Sequence, residues 1–143
     1  MTLRELMKAY SMKTGNELRD ICKENLLKVR RYFRQGNISD ENWGIYNRSI
    51  WRLFVSADKR VRPDEYNLFI YTVGYKEEEF SKSDFYEATN HGSDPDFVQW
   101  FIRETRKFPT EIRYAVCNIG LCIMGVDEDV SDSEVELLEK LLK

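Results

Sequence analysis

Two stretches of this chain decide its fold: WGIYNRSIWRLFVSADKRVRPDEYNLF at residues 43–69 and IRYAVCNIGLCIMGVDEDVSDSEVELL at residues 112–138. A shift of 69 residues, the distance from Trp43 to Ile112, places core-type residues on core-type residues at helical spacing. The aligned apolar pairs are Trp43/Ile112, Tyr46/Ala115, Ile50/Ile119, Phe54/Ile123, Ala57/Val126, Leu68/Leu137 and Phe69/Leu138. The register predicts an internally duplicated helix-loop-helix unit.

The loop between the two apolar helices also repeats in the same register. Its aligned pairs are Asp58/Asp127, Val61/Val130 and Glu65/Glu134. We expect the valine side chain to be buried in the core and to anchor the turn there. The aspartate and glutamate should flank the junction of the two helices. The same shift of 69 residues therefore aligns both the loop and the apolar positions of the helices. Such an alignment is less easily obtained by chance than the agreement of isolated residues.

This repeated pattern resembles the tellurite-resistance TerB-like family, in which an apolar helix ends in Ala-Asp-Gly-x-Val/Ile-Ser-x-x-Glu, twice. Here the copies read ADKRVRPDE at residues 57–65 and VDEDVSDSE at residues 126–134, and the family's glycine is replaced by Lys59 and Glu128. The segment VGYKEEEF at residues 73–80 is similar to the family's Leu-Gly-Leu-Ser-acidic segment.

The likeness covers residues 43–143 and implies an all-α helical bundle. We expect residues 41–143 to form a TerB-like helical domain, and residues 1–40 to form an N-terminal helical extension packed on that core. The length of 143 residues and the 42% content of hydrophobic residues also favour one globular domain. The three cysteines have no CxxC spacing and are expected to be buried apolar residues.

Several helix ends can be read from individual residues. Thr2 and Ser39 are typical N-caps, and Pro63 suits the first turn of a helix because its missing amide hydrogen has no intrahelical partner there. Gly36 is expected as a left-handed C-terminal cap, and Ser83 as the N-cap of a short helix.

Charge is distributed unevenly along the chain, although the formal net charge is only −3. Residues 1–62 contain 14 basic and 7 acidic residues, whereas residues 63–143 contain 8 and 18. Within the second predicted helix, four basic residues share a narrow sector beside the apolar stripe. They are Arg19, Lys23, Arg30 and Arg34. We expect this sector to contact an acidic protein partner or the acidic half of its own chain or of a neighbouring copy, so a homo-oligomer is compatible with the pattern.

The resemblance implies a function linked to tellurite and other stress responses, with divalent-cation binding at acidic residues. Carried over to this chain, the candidate ligands are Asp58 and Glu65 in the first copy and Asp127 and Glu134 in the second. Carboxylate oxygens suit calcium, magnesium or manganese. The alternative is that these residues cap turns and helices, as acidic residues at such positions commonly do. An EF-hand loop that began at Asp127 would not fit the required spacing. Asp132 would stand at the position that needs glycine, and Leu138 at the position of the bidentate glutamate.

Catalysis is not indicated by any motif in the sequence. His91 is the only histidine and has no nucleophile motif beside it, and there is neither a glycine-rich phosphate loop nor an HExxH motif. Nucleic-acid binding is a weaker hypothesis, because a pI of about 5.3 is unlike that of a dedicated nucleic-acid-binding domain. The absence of a signal peptide and of a long apolar run favours a cytoplasmic protein without a membrane span. The sequence thus predicts a non-catalytic adaptor domain that binds a protein partner, with divalent-cation binding as the alternative.

Overall fold

The computed structural model describes residues 2–56, 63–73, 81–90, 92, 94–125 and 132–142. Within these ranges the chain forms α-helices and no strand, which confirms the predicted all-α fold class. The helices are α1 (Leu3–Ser11), α2 (Gly15–Gln35), α3 (Asp40–Val55), α4 (Pro63–Val73), α5 (Lys82–Thr89), α6 (Pro95–Thr105), α7 (Thr110–Gly125) and α8 (Asp132–Leu142).

Most helix starts follow the capping residues that the sequence contains. The hydroxyls of Thr2 and Ser39 accept hydrogen bonds from backbone amides three residues later, as expected of N-caps. Thr14 and Glu17 form a full capping box at the start of α2. Pro63 is the first residue of α4, as predicted.

Two of the expected helix ends are wrong by one or two residues. Gly36 has a φ of −83°, and the left-handed residue is instead Asn37, with a φ of 56°. The amides of Asn37 and Ile38 donate to the carbonyls of Arg34 and Phe33, which is the Schellman pattern with asparagine in the position that glycine usually takes. Ser81 rather than Ser83 caps α5, since Ser81 has the reciprocal bonds with Asp84.

Helix α7 is the centre of the bundle, with contacts to α1, α2, α3 and α8. From Ala115 to Gly125 every residue except Asn118 is buried. Gly120 permits the close approach of α3, because a Cβ atom added there would lie 2.4 Å from Cε1 of Phe54. The absence of a side chain at this position therefore sets the distance between the two helices.

Aromatic rings fill the space where α2 and α3 meet α6 and the turn before α7. The Tyr46 and Phe101 rings stack with centroids 5.1 Å apart. Phe108 packs edge-on against both Phe33 and Tyr46, and the Phe33 ring is tilted against that of Tyr46. The buried Tyr46 hydroxyl and the Thr105 hydroxyl form a hydrogen bond of 2.6 Å. Burial raises the pKa of the Tyr46 phenol above its usual value.

The N-terminal helices contribute directly to this core. Helix α2 packs against α7 and α4, and α1 packs against α7 and α8. Cys22, Cys117 and Cys122 are all buried, which confirms the prediction for the cysteines. None of the described helices has the length and apolar character needed to cross a bilayer.

Candidate binding cleft

A cleft of about 420 Å³ lies between α2, α3 and α4 on the surface of the bundle. Its walls combine cationic, aromatic and aliphatic side chains with a single carboxylate. The lining residues are Lys23, Leu26, Leu27, Arg30, Asp40, Trp43, Gly44, Asn47, Arg48, Thr72 and Val73. We call this feature the basic cleft.

Three cations face the basic cleft from two helices, Lys23 and Arg30 from α2 and Arg48 from α3. All three are exposed, and none forms an ion pair within the part of the chain that the structure describes. Tyr71, at the edge of the cleft, carries Lys23 Nζ 5.5 Å from its ring centroid and the Arg19 guanidinium carbon at 5.3 Å. Within the described ranges the cleft therefore combines a net positive charge with an exposed aromatic ring beside it.

Two residues that line the basic cleft also carry buried polar atoms without hydrogen bonds. Among the residues that the structure describes, Asn47 Oδ1 and Thr72 Oγ1 are two of four such side-chain atoms, and Thr72 is only 6% exposed. A third atom, Trp51 Nε1, belongs to a residue one helical turn after Asn47. A buried polar group without a partner destabilises a fold by about 1–3 kcal/mol. Such groups are usually completed by an ordered water molecule or by a ligand, so these two residues mark the cleft as a place where a polar ligand could bind.

A glycine inside α3 contributes to the shape of the cleft. Gly44 lies in the cleft wall, and a Cβ atom added there would be 3.4 Å from Arg48 Nη1, with no other described atom outside the α3 backbone within 4 Å. The Arg48 side chain thus lies across the space that a side chain at position 44 would enter. Glycine inside a helix is less favourable than alanine by about 1 kcal/mol, and no close helix packing compensates for it here.

The basic sector predicted on α2 is only partly gathered at the cleft. Lys23 and Arg30 line it, and Arg19 reaches its edge at Tyr71. Arg34 is exposed and does not line it. Arg48 was missed because its place beside α2 depends on how α3 packs. The one available signal was Gly44, an isolated glycine within a helical stripe and one turn before Arg48.

The predicted cation ligands fall in two groups. Asp58 and Asp127 lie outside the described residues. Glu65 and Glu134 are the third residues of α4 and α8, are 3% and 2% exposed, and each takes part in a polar or electrostatic contact. Within the described ranges no three potential ligand residues come together. Divalent-cation binding by these four residues therefore stays a prediction.

A larger groove of about 660 Å³ runs along α6 and is lined mainly by Val98, Ile102 and the side chains of Arg103, Arg106 and Lys140. Its lining residues do not include any of the four with unpaired buried polar atoms. The basic cleft is therefore the stronger of the two candidates, because among the described residues it combines unpaired charge with unpaired buried polar atoms and the groove along α6 does not.

Comparisons with protein-family models, with curated proteins and with solved structures found no match to this chain. The likeness to the TerB-like family consequently rests on the sequence pattern at residues 43–143 alone, and its association with stress responses stays an expectation.

Proposed function

We propose that this protein is a non-catalytic adaptor of the cytoplasm that binds an acidic segment of a protein partner in the basic cleft. The observation that supports this most directly is the coincidence of Lys23, Arg30 and Arg48, without ion pairs in the described chain, around buried polar atoms that lack partners. A carboxylate-bearing segment would neutralise the cations and supply hydrogen-bonding groups at the same time.

The apolar part of the cleft favours a protein segment over a small inorganic anion. Trp43 is half-buried, Leu27 is 45% exposed and Tyr71 is 43% exposed, although each is large enough to bury considerable apolar area. Tryptophan, tyrosine and arginine are the residue types that contribute most to binding at protein interfaces. An acidic segment with one or two apolar side chains would satisfy both parts of the surface.

A direct binding experiment tests this proposal. Fluorescently labelled short peptides rich in Asp and Glu, each with one or two Leu or Phe residues, are titrated with the protein, and anisotropy is recorded at low and moderate salt. The variant Lys23→Glu, Arg30→Glu, Arg48→Glu is compared with Lys28→Glu, Arg31→Glu, Arg34→Glu. Both variants reverse three exposed cations, but the second leaves the cleft unchanged.

We expect the first variant to lose affinity by about tenfold to a hundredfold, the range for charge-assisted hydrogen bonds, and the second to stay within about threefold of the native protein. Equal losses in both variants would mean general electrostatic attraction and no defined site. If the native protein binds none of the peptides, the proposed function is wrong.

We also infer that α3 and α4 are a copy of α7 and α8, as the sequence register predicts. In support, α3 and α7 each have 16 residues, and α4 and α8 each have 11. Glu65 and Glu134 occupy the same helical position and are buried to nearly the same extent. The substitutions Glu65→Gln and Glu134→Gln should therefore lower the free energy of unfolding by similar amounts. A loss confined to one of them would argue against equivalent units.

A further inference from the structure

The charges at the basic cleft exceed what one carboxylate can neutralise. Three cations, Lys23, Arg30 and Arg48, line the cleft together with a single acidic residue, Asp40. Among the described residues that line the cleft, two positive charges are therefore left in excess. A glutamate or aspartate side chain of a ligand carries one negative charge, whereas a phosphomonoester carries between about 1.5 and 2 at neutral pH.

The donors at the cleft also suit a phosphate group. Two guanidinium groups and one ammonium group offer more N–H donors than the two oxygens of a single carboxylate can use. Thr72 belongs to the cleft wall and is 6% exposed, and its hydroxyl forms no hydrogen bond. This hydroxyl adds an unused O–H donor. A phosphomonoester has three terminal oxygens that accept such bonds in different directions.

The remaining unpaired atom requires a different ligand group. Asn47 Oδ1 is a buried acceptor, and a dianionic phosphate has no hydrogen to donate to it. A peptide backbone N–H does, and it would accompany a phosphate carried on a serine or threonine side chain. The half-buried Trp43 and the exposed Leu27 beside it offer apolar contacts to neighbouring peptide residues.

We infer that the basic cleft recognises a phosphorylated serine or threonine in a peptide segment, with Lys23, Arg30, Arg48 and the Thr72 hydroxyl binding the phosphate and Asn47 Oδ1 accepting a backbone N–H. This inference rests on the proposed function, since it names the anionic group that the acidic partner carries. Phosphorylation of the partner would then control its binding to this protein.

The test compares three labelled peptide mixtures that have randomised flanking residues and differ only at a fixed central position: phosphoserine, glutamate or serine. Inorganic phosphate is titrated separately as a competitor. We expect phosphoserine peptides to bind about tenfold more tightly than glutamate peptides, the effect of one additional charge-assisted contact, and serine peptides to bind least. Inorganic phosphate should compete only weakly, because it does not satisfy Asn47 or the apolar wall.

Two variants separate recognition from folding. Thr72→Val preserves side-chain shape but removes the hydroxyl, and it should reduce phosphoserine binding about fivefold, a typical loss for one hydrogen bond, without lowering the melting temperature. Thr72→Ser keeps the hydroxyl and should retain the preference for phosphoserine over glutamate.

Each outcome bears on one claim. If glutamate peptides bind as tightly as phosphoserine peptides, the phosphate inference is wrong while the adaptor proposal stands. If inorganic phosphate competes as effectively as the unlabelled phosphopeptide, the ligand is a free phosphate compound and the peptide part is wrong. If none of the mixtures binds, both proposals fail.

Discussion

Two helices of 16 residues, α3 and α7, each contain a glycine in their interior, and the two glycines have opposite surroundings. At Gly120 the missing side chain is replaced by the Phe54 ring, 2.4 Å from where a Cβ atom would stand. At Gly44, apart from the backbone of α3 itself, Arg48 Nη1 is the one atom of the described residues within 4 Å of the Cβ position, at 3.4 Å. Both glycines weaken their helices, but only Gly120 is compensated by core packing. Packing thus explains Gly120, and we attribute Gly44 to the proposed binding cleft.

The same contrast appears between two buried threonines. Thr105 is fully buried, and its hydroxyl pairs with that of Tyr46 at 2.6 Å. Thr72 is 6% exposed, and its hydroxyl has no hydrogen bond. The hydroxyls of Tyr46 and Thr105 pair with each other inside the core, whereas the Thr72 hydroxyl at the cleft has no hydrogen-bonding partner. We therefore expect substitutions at the two sites to change stability in opposite directions.

The largest expected effect is at the core glycine. Gly120→Ala places a methyl group against Phe54 and should lower the free energy of unfolding by about 1–3 kcal/mol, the usual range for overpacking. Urea unfolding followed by circular dichroism measures this change. An unchanged midpoint would mean that α3 and α7 do not approach closely at this point.

Removing the paired hydroxyl in the core should have the next largest effect. Tyr46→Phe leaves the Thr105 hydroxyl buried without a partner and should destabilise the fold by about 1–2 kcal/mol. Adding Thr105→Val should recover part of that loss, because the unpaired hydroxyl is then gone. A double-mutant cycle from thermal unfolding checks this, and strictly additive losses would contradict the hydrogen bond.

At the cleft we expect a substitution to stabilise the fold instead of destabilising it. Gly44→Ala should raise the free energy of unfolding by about 0.5–1 kcal/mol through helix propensity. It should also weaken binding of acidic peptides, because the added methyl group contacts the Arg48 guanidinium and limits the positions that this side chain can take. Denaturation and anisotropy measured on the same variant test both halves. Loss of stability at Gly44 would remove the contrast with Gly120.

The smallest effect near neutral pH comes from the core thiols. Burial raises the pKa of Cys117 to about 12 from an ordinary value of 9.0, while Arg113 opposes this shift. The folded state then keeps a proton that the unfolded state releases, so stability is full below pH 9 and falls as the pH rises toward 12. The free energy of unfolding of Cys117→Val should decline less steeply across this pH range than that of the native protein. An identical slope would mean that the decline comes from other groups, such as Tyr46.

Local signals in the sequence predicted much of the fold. The caps at Thr2 and Ser39 and the start at Pro63 follow from the chemistry of single residues, which depends little on the rest of the chain. The prediction of a left-handed cap at Gly36 was wrong because asparagine also tolerates the left-handed backbone, and Asn37 directly follows Gly36.

The cleft could be predicted only in part. Lys23 and Arg30 were identifiable because they share one face of a single helix. Arg48 and Thr72 belong to other helices, and their meeting with α2 depends on interhelical packing that helical periodicity does not encode. Arg34 lies on the same face of α2 as Lys23 and Arg30, but it is about one turn beyond Arg30 and does not line the cleft.

The most direct test is the free energy of unfolding of the double variant Gly44→Ala, Thr72→Val. If the cleft is kept for binding, both substitutions remove locally unfavourable features, and the variant should be more stable by about 1–2 kcal/mol. It should be correspondingly poorer at binding acidic or phosphorylated peptides. A variant less stable than the native protein would show that Gly44 and Thr72 serve the fold itself, and would contradict the assignment of the basic cleft as the binding site.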